Sequence, residues 1–138
     1  FGAPWIDPHV LAAELVRQRI KGIALRATSF IPTFHKYRGK MCGGVQIHVT
    51  DRNTFDPLIA ALKIIRTIVR LYPGHFSWRK PPYEFERVKM PFDILIGNSW
   101  VRKGLEKGTD TGTLRGRWQA GLKRFKAVRK EHLLYPDS

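Results

Sequence analysis

Hydrolysis by paired carboxylates needs two acids at a fixed separation, about 5 Å in glycosidases that retain configuration. The best local pair in this sequence is Glu84 and Glu86, which on an extended segment would share one face about 6 to 7 Å apart. Prolines surround the pair and no other functional group marks it, so solvated edge charges are the simpler reading. A thiol nucleophile would have to be Cys42, working with His35 or His48. A lone cysteine among glycines is more often a small packed residue. His9, His35, His48, His75 and His132 lack the paired spacing that zinc sites use, so no metal is expected. No glycine-rich phosphate loop of the P-loop or dinucleotide type occurs, and no cofactor is expected. The sequence therefore offers no placed acid, base or nucleophile, and no residue of this chain is assigned a catalytic role.

Binding chemistry is better represented. Between Ser29 and Gly44 the chain carries Pro32, Gly39, Gly43 and Gly44 around Thr33, Phe34, His35, Lys36, Tyr37 and Arg38 without a clean period, which predicts a long ordered loop. Loops of that length in a small domain are often functional. The strand that follows turns Val45, Ile47 and Val49 toward a core and Gln46, His48 and Thr50 the other way. Aromatic faces suited to a sugar ring thus adjoin donors for hydroxyl, amide or carboxylate groups. Thr33, Lys36, Tyr37, Gln46 and His48 form the candidate substrate-binding set. The competing reading is a packed loop whose aromatics belong to the core and whose cations reach out to water.

The surrounding elements are legible from caps and periodicity. Asp7-Pro8 starts a helix with Leu11, Leu15, Val16 and Ile20 on its apolar stripe, and Lys21-Gly22 stops it. Ile23, Leu25 and Ala27 alternate as a strand. Asp56-Pro57 opens a central helix with Leu58, Leu62, Ile65, Val69 and Tyr72 at helical spacing. Residues 77–91 read as a connecting loop with an edge strand at Tyr83-Glu84-Phe85-Glu86. A short helix from Ser99 to Lys107 and a longer one capped by Thr113 complete the chain, the latter carrying Trp118, Leu122, Phe125 and Val128 between cations. The expected fold is α+β: a small single domain over residues 1–138, with a short mixed or antiparallel sheet packed by about four helices.

The chain is 43% hydrophobic and 12% aromatic, which excludes a disordered tail. No apolar run approaches the roughly 20 residues that span a bilayer, because Arg66 and Arg70 interrupt the longest one. One cysteine excludes an internal disulfide. The formal charge of +14 favours anionic partners, among them nucleic acid, anionic cell-wall polymer or a lipid surface. The sequence begins at Phe1 without a signal-peptide layout, and a fragment of a longer polypeptide is expected.

The segments Gly2-Ala3-Pro4-Trp5-Ile6-Asp7, Phe30 to Gly39 (FIPTFHKYRG) and Cys42 to Asp51 (CGGVQIHVTD) resemble the C-terminal domain of the exo-β-N-acetylmuramidase family. The resemblance continues through Leu71-Tyr72-Pro73, Phe76-Ser77-Trp78, Phe92 to Gly97 (FDILIG) and His132 to Pro136 (HLLYP), so it covers nearly the whole chain. It implies a two-domain enzyme that removes N-acetylmuramic acid from non-reducing ends of peptidoglycan fragments in the periplasm or outside the cell. In such an enzyme a Rossmann-like N-terminal domain carries the catalytic glutamate, and this chain closes the cleft and is inactive alone. The implied partners are that N-terminal domain and a muramic-acid-containing glycan. A free-standing basic module that binds nucleic acid or another anionic polymer is the alternative reading.

Overall fold

Asp7 and Asp56 start the first two large helices by the same device. Each precedes a proline, and each carboxylate accepts first-turn amides: His9 and Val10 N–H at Asp7 (2.9 and 3.0 Å), and Ile59 N–H at Asp56 (3.0 Å). Such a cap satisfies donors that the helix itself cannot. The computed structural model describes residues 1–135. Its elements run β1 (Gly2–Ala3), α1 (Pro8–Arg17), β2 (Ile23–Phe30), β3 (Cys42–Val49), α2 (Pro57–Leu71), α3 (Pro91–Ile96), α4 (Trp100–Glu106) and α5 (Thr111–Lys130). The sheet is antiparallel in the order β1-β3-β2, and β2 pairs with β3 from Ile23↔Val49 to Phe30↔Cys42. This is an α+β fold with five helices among the described residues.

The apolar side chains collect in two clusters on either side of α2. Ala3, Ile6, Leu11, Leu15, Val45 and Ile64 form the first, between α1, the sheet and α2. Leu62, Val101, Leu105 and Leu114 form the second, where α2 meets α4 and α5. Thr67 of α2 is buried and satisfies its hydroxyl by donating to the Lys63 carbonyl (2.8 Å). The cations of α2 escape to backbone oxygens at the rim: Lys63 Nζ donates to Gln18 O (3.0 Å), and Arg66 donates twice to Gly108 O (3.2 and 2.9 Å). They tie α2 to the ends of α1 and α4, where carbonyls lack helical partners. Arg102 joins α4 to α3 by a two-pronged pair with Asp93 (2.8 and 2.9 Å) and a contact with Glu106 (3.0 Å), which raises the guanidinium pKa.

Several expectations are corrected. Val16 lies on the outer side of α1 and faces water, and α1 stops at Arg17, so Ile20 packs on the first cluster from beyond the helix. β3 buries Val45 fully, but Ile47 and Val49 are exposed. A ten-residue helix is about 15 Å long, whereas an eight-residue strand runs about 26 Å, so α1 cannot cover all of β3. β2 and β3 extend to Phe30 and Cys42, which shortens the intervening loop to residues 31–41. Tyr83 to Glu86 is no edge strand: Tyr83 and Glu86 pair as a single bridge around a tight turn with Glu84 at φ 51° and Phe85 fully exposed. The helix α3, of six residues, begins at the last residue of the expected connecting loop and fills a stretch to which the sequence assigned no element. α5 is capped by Asp110, whose carboxylate accepts from Thr113 N–H (2.8 Å), rather than by Thr113 itself.

β1 meets β3 at two glycines, Gly2↔Gly44 and Ala3↔Gly43. A Cβ on Gly43 would lie under 3.0 Å from Ile6 O and Pro8 Cδ, and one on Gly44 equally close to Phe1 O and Gly2 Cα. Backbone cannot yield as a side-chain tip can. Gly43→Ala is expected to destabilise the chain by more than about 2 kcal/mol through overpacking, read from the shift of the urea midpoint at constant slope.

Candidate functional site

The loop over residues 31–41 leaves β2 and folds back over the β1 end of the first core. Its backbone is held by Gly39 N–H donating to Pro32 O (2.9 Å) and Lys40 N–H to Tyr37 O (2.9 Å). Tyr37 and His35 take positive φ values of 66° and 56°, uncommon for residues with a Cβ and a marker of a conformation fixed by its surroundings. Tyr37 is fixed by packing on the first cluster and by accepting, at its hydroxyl, the Trp5 indole N–H (3.3 Å). Lys36 follows the same contour and places Nζ 4.9 Å from the Tyr37 ring centroid, within cation–π range.

These side chains line an open cleft of about 350 Å³, together with Phe1, Ile68, His75 and Phe76. Trp5 is its hub. The indole stacks on His75 (5.7 Å, 11°) and tilts against Tyr72 (5.4 Å), and the Tyr72 hydroxyl returns to the backbone of Asp7 (3.2 Å). The sequence signal for Trp5 and His75 was present in the aromatic content around residues 1–5 and 72–78, but a strand of two residues and a helix end give no period to follow. The cleft offers one side-chain ammonium, several aromatic faces and an imidazole.

Gln46 and His48 occupy another surface. They stand on the sheet face opposite Val45, both exposed, in register with Arg26 and Ala24. The Gln46 carbonyl accepts from Arg26 Nη2 (2.7 Å). Thr33 is exposed on the loop. The five candidates therefore divide: Lys36 and Tyr37 in the cleft, Gln46 and His48 on the polar sheet face, and Thr33 on the loop near the strand ends.

Two of the groups weighed for catalysis, Glu86 and Cys42, are engaged otherwise. Glu86 accepts Val88 and Lys89 N–H (2.7 and 3.1 Å), and these hydrogen bonds hold its carboxyl below the ordinary range. That favours the ionised form and disfavours a general acid. Cys42 is fully buried and donates weakly to Lys40 O (3.6 Å). His48 is six residues along the same strand, about 20 Å away. Among the described residues no cluster of three or more His, Cys, Asp or Glu is placed to hold a metal ion.

A family profile described as "Exo-beta-N-acetylmuramidase NamZ, C-terminal" matches residues 1–135. The chain is 37% identical over 134 residues to the peptidoglycan beta-N-acetylmuramidase NamZ of Bacillus subtilis strain 168, covering 97% of this chain and 30% of that protein. A crystal structure of a DUF1343 family protein from Bacteroides fragilis superposes with a TM-score of 0.80 at 21% identity, covering 99% of this chain and 35% of that one. The fold is shared with that protein, and the chain spans about a third of the length of both relatives.

The division of the candidates predicts different stabilities. Tyr37→Ala removes a half-buried ring and strands the Trp5 indole N–H, and should cost about 2 to 4 kcal/mol. Gln46→Ala, which removes only an exposed contact, should cost under about 0.5 kcal/mol. Thermal melts of the two variants check the contrast.

Proposed function

The chain belongs to the C-terminal domain family of the exo-β-N-acetylmuramidase NamZ, and we propose that it forms one wall of the substrate cleft of an exo-acting enzyme that removes N-acetylmuramic acid from non-reducing ends of peptidoglycan fragments. The rest of that enzyme is an N-terminal Rossmann-like domain of the same polypeptide, which carries the catalytic glutamate, and it works in the periplasm or outside the cell. The observation that carries this reading is the cleft at Trp5, Lys36, Tyr37 and His75, on a chain most of whose described carboxylates are tied into turns, caps and ion pairs.

In this reading the chain binds and orients. A muramic acid residue differs from the neighbouring amino sugar by its lactyl carboxylate, and the Lys36 ammonium is the cation suited to pair with it. The aromatic faces around Trp5 take the apolar face of the ring. Gln46 and His48 supply donors from the sheet face, and Thr33 a hydroxyl between the two surfaces. The N-terminal domain packs over both surfaces. Water is excluded by that closure, which strengthens each charge-assisted contact.

Two outcomes are expected. The purified 138-residue chain should not turn over a chromogenic N-acetylmuramide, and turnover by rigorously pure chain would place catalysis here after all. In the full-length enzyme, Lys36→Ala and His48→Ala should each lower kcat/KM by about 5- to 150-fold, corresponding to about 1 to 3 kcal/mol of lost contact. Melting temperatures should stay within a few degrees of the parent, because both side chains are exposed. Variants that melt early yet keep normal kinetics while folded would count against the assignment.

A further inference from the structure

We propose that the outer half of α5 is a peripheral membrane anchor that seats on an anionic lipid bilayer, with Phe125 and Val128 entering the headgroup boundary and the flanking Lys and Arg side chains meeting lipid phosphates. The helix is 20 residues and therefore about 30 Å long, but only its first half belongs to the body of the protein. Thr111 and Leu114 are its buried residues, and Trp118 packs on the second core cluster. Beyond Leu122 the apolar stripe continues over water: Phe125 is 60% and Val128 55% exposed, and the chain then adds Leu134 at 93% and Tyr135 at 82%.

Charge is arranged around that stripe. The helix carries seven Lys and Arg and no Asp or Glu. Near the body two of the cations are engaged, Arg115 beside Asp56 (3.8 Å) and Arg117 over the Trp100 ring (4.3 Å). Farther out, Arg124 and Lys126 stand about 100° to either side of Phe125, so an apolar ridge runs between two rows of cations. Long basic side chains can lay their stems along such a ridge while their heads stay at phosphate level. An interfacial helix has this layout: a broad cationic surface and a narrow aromatic and aliphatic stripe, with polar residues outnumbering apolar ones. No helix of the described residues is long and apolar enough to cross a membrane, which is consistent with lying on one.

A soluble polyanion would account for the cations but gives no reason for Phe125, Val128 and Leu134 to face water among them. The inference is independent of the cleft and uses none of its residues. The test is co-sedimentation of the full-length protein, with its N-terminal domain present, with vesicles of mixed phosphatidylglycerol and phosphatidylcholine, beside vesicles of phosphatidylcholine alone. Binding is expected only with the anionic vesicles, weakening as salt is raised. Phe125→Ser should reduce it about tenfold or more, and each of Lys126→Gln and Lys130→Gln about fivefold, with unchanged far-ultraviolet spectra because the positions are exposed. Parental affinity in Phe125→Ser would mean that charge alone holds the chain, as on any soluble polyanion, and would overturn the proposal. Failure to sediment with anionic vesicles, or equal sedimentation with both kinds, would overturn it as well.

Discussion

Helix α2 has to be apolar on two sides at once, and the remainder of the fold is arranged around that requirement. Ile64 and Ile68 face the sheet and α1, while Leu62 and Ile65 face α4 and α5. A helix with apolar residues on both sides has little surface left for its polar groups. Lys63, Arg66 and Arg70 solve the problem by reaching sideways to Gln18 O, Gly108 O and Glu14. Each of those contacts joins α2 to an element it does not follow in sequence. The cleft inherits the same dependence, since Ile68 forms part of its floor and Tyr72, the C-cap of α2, steadies Trp5.

Much of this was readable from the sequence because it is written locally. Asp7-Pro8 and Asp56-Pro57 fix where helices begin through one carboxylate and one missing N–H, a decision made within four residues. The pairing of β2 with β3 follows from two alternating segments. What escaped is decided at long range. Whether Ile47 and Val49 are covered depends on how far α1 reaches, which alternation cannot express. The two-residue strand β1 is invisible as a pattern and exists because Gly43 and Gly44 let another backbone approach. Asp110 outcompetes Thr113 as a cap because an ionised carboxylate accepts more strongly at a positive helix end than a hydroxyl does.

The candidate site shows the same split. Loop residues Lys36 and Tyr37 were recognisable by type, and Gln46 and His48 by strand parity. That Tyr37 also packs on the first core cluster, and that Trp5 and His75 stack beside it, required the tertiary fold. One ring thus supports the wall of the cleft and the core beneath it. A substitution at Tyr37 therefore disturbs cleft and core together, whereas one at Gln46 or His48 leaves the core untouched.

Cys42 is the single thiol of the chain and has no exposed surface. It sits where β3 begins, paired with Phe30 across the ladder, at the foot of the loop that carries Lys36 and Tyr37. A maleimide or disulfide reagent can reach it only when that corner of the sheet comes apart. The protein therefore carries a built-in clock for one local event: with reagent in excess, the labelling rate levels off at the rate at which the root of the cleft loop opens, unconfounded by any second sulfhydryl.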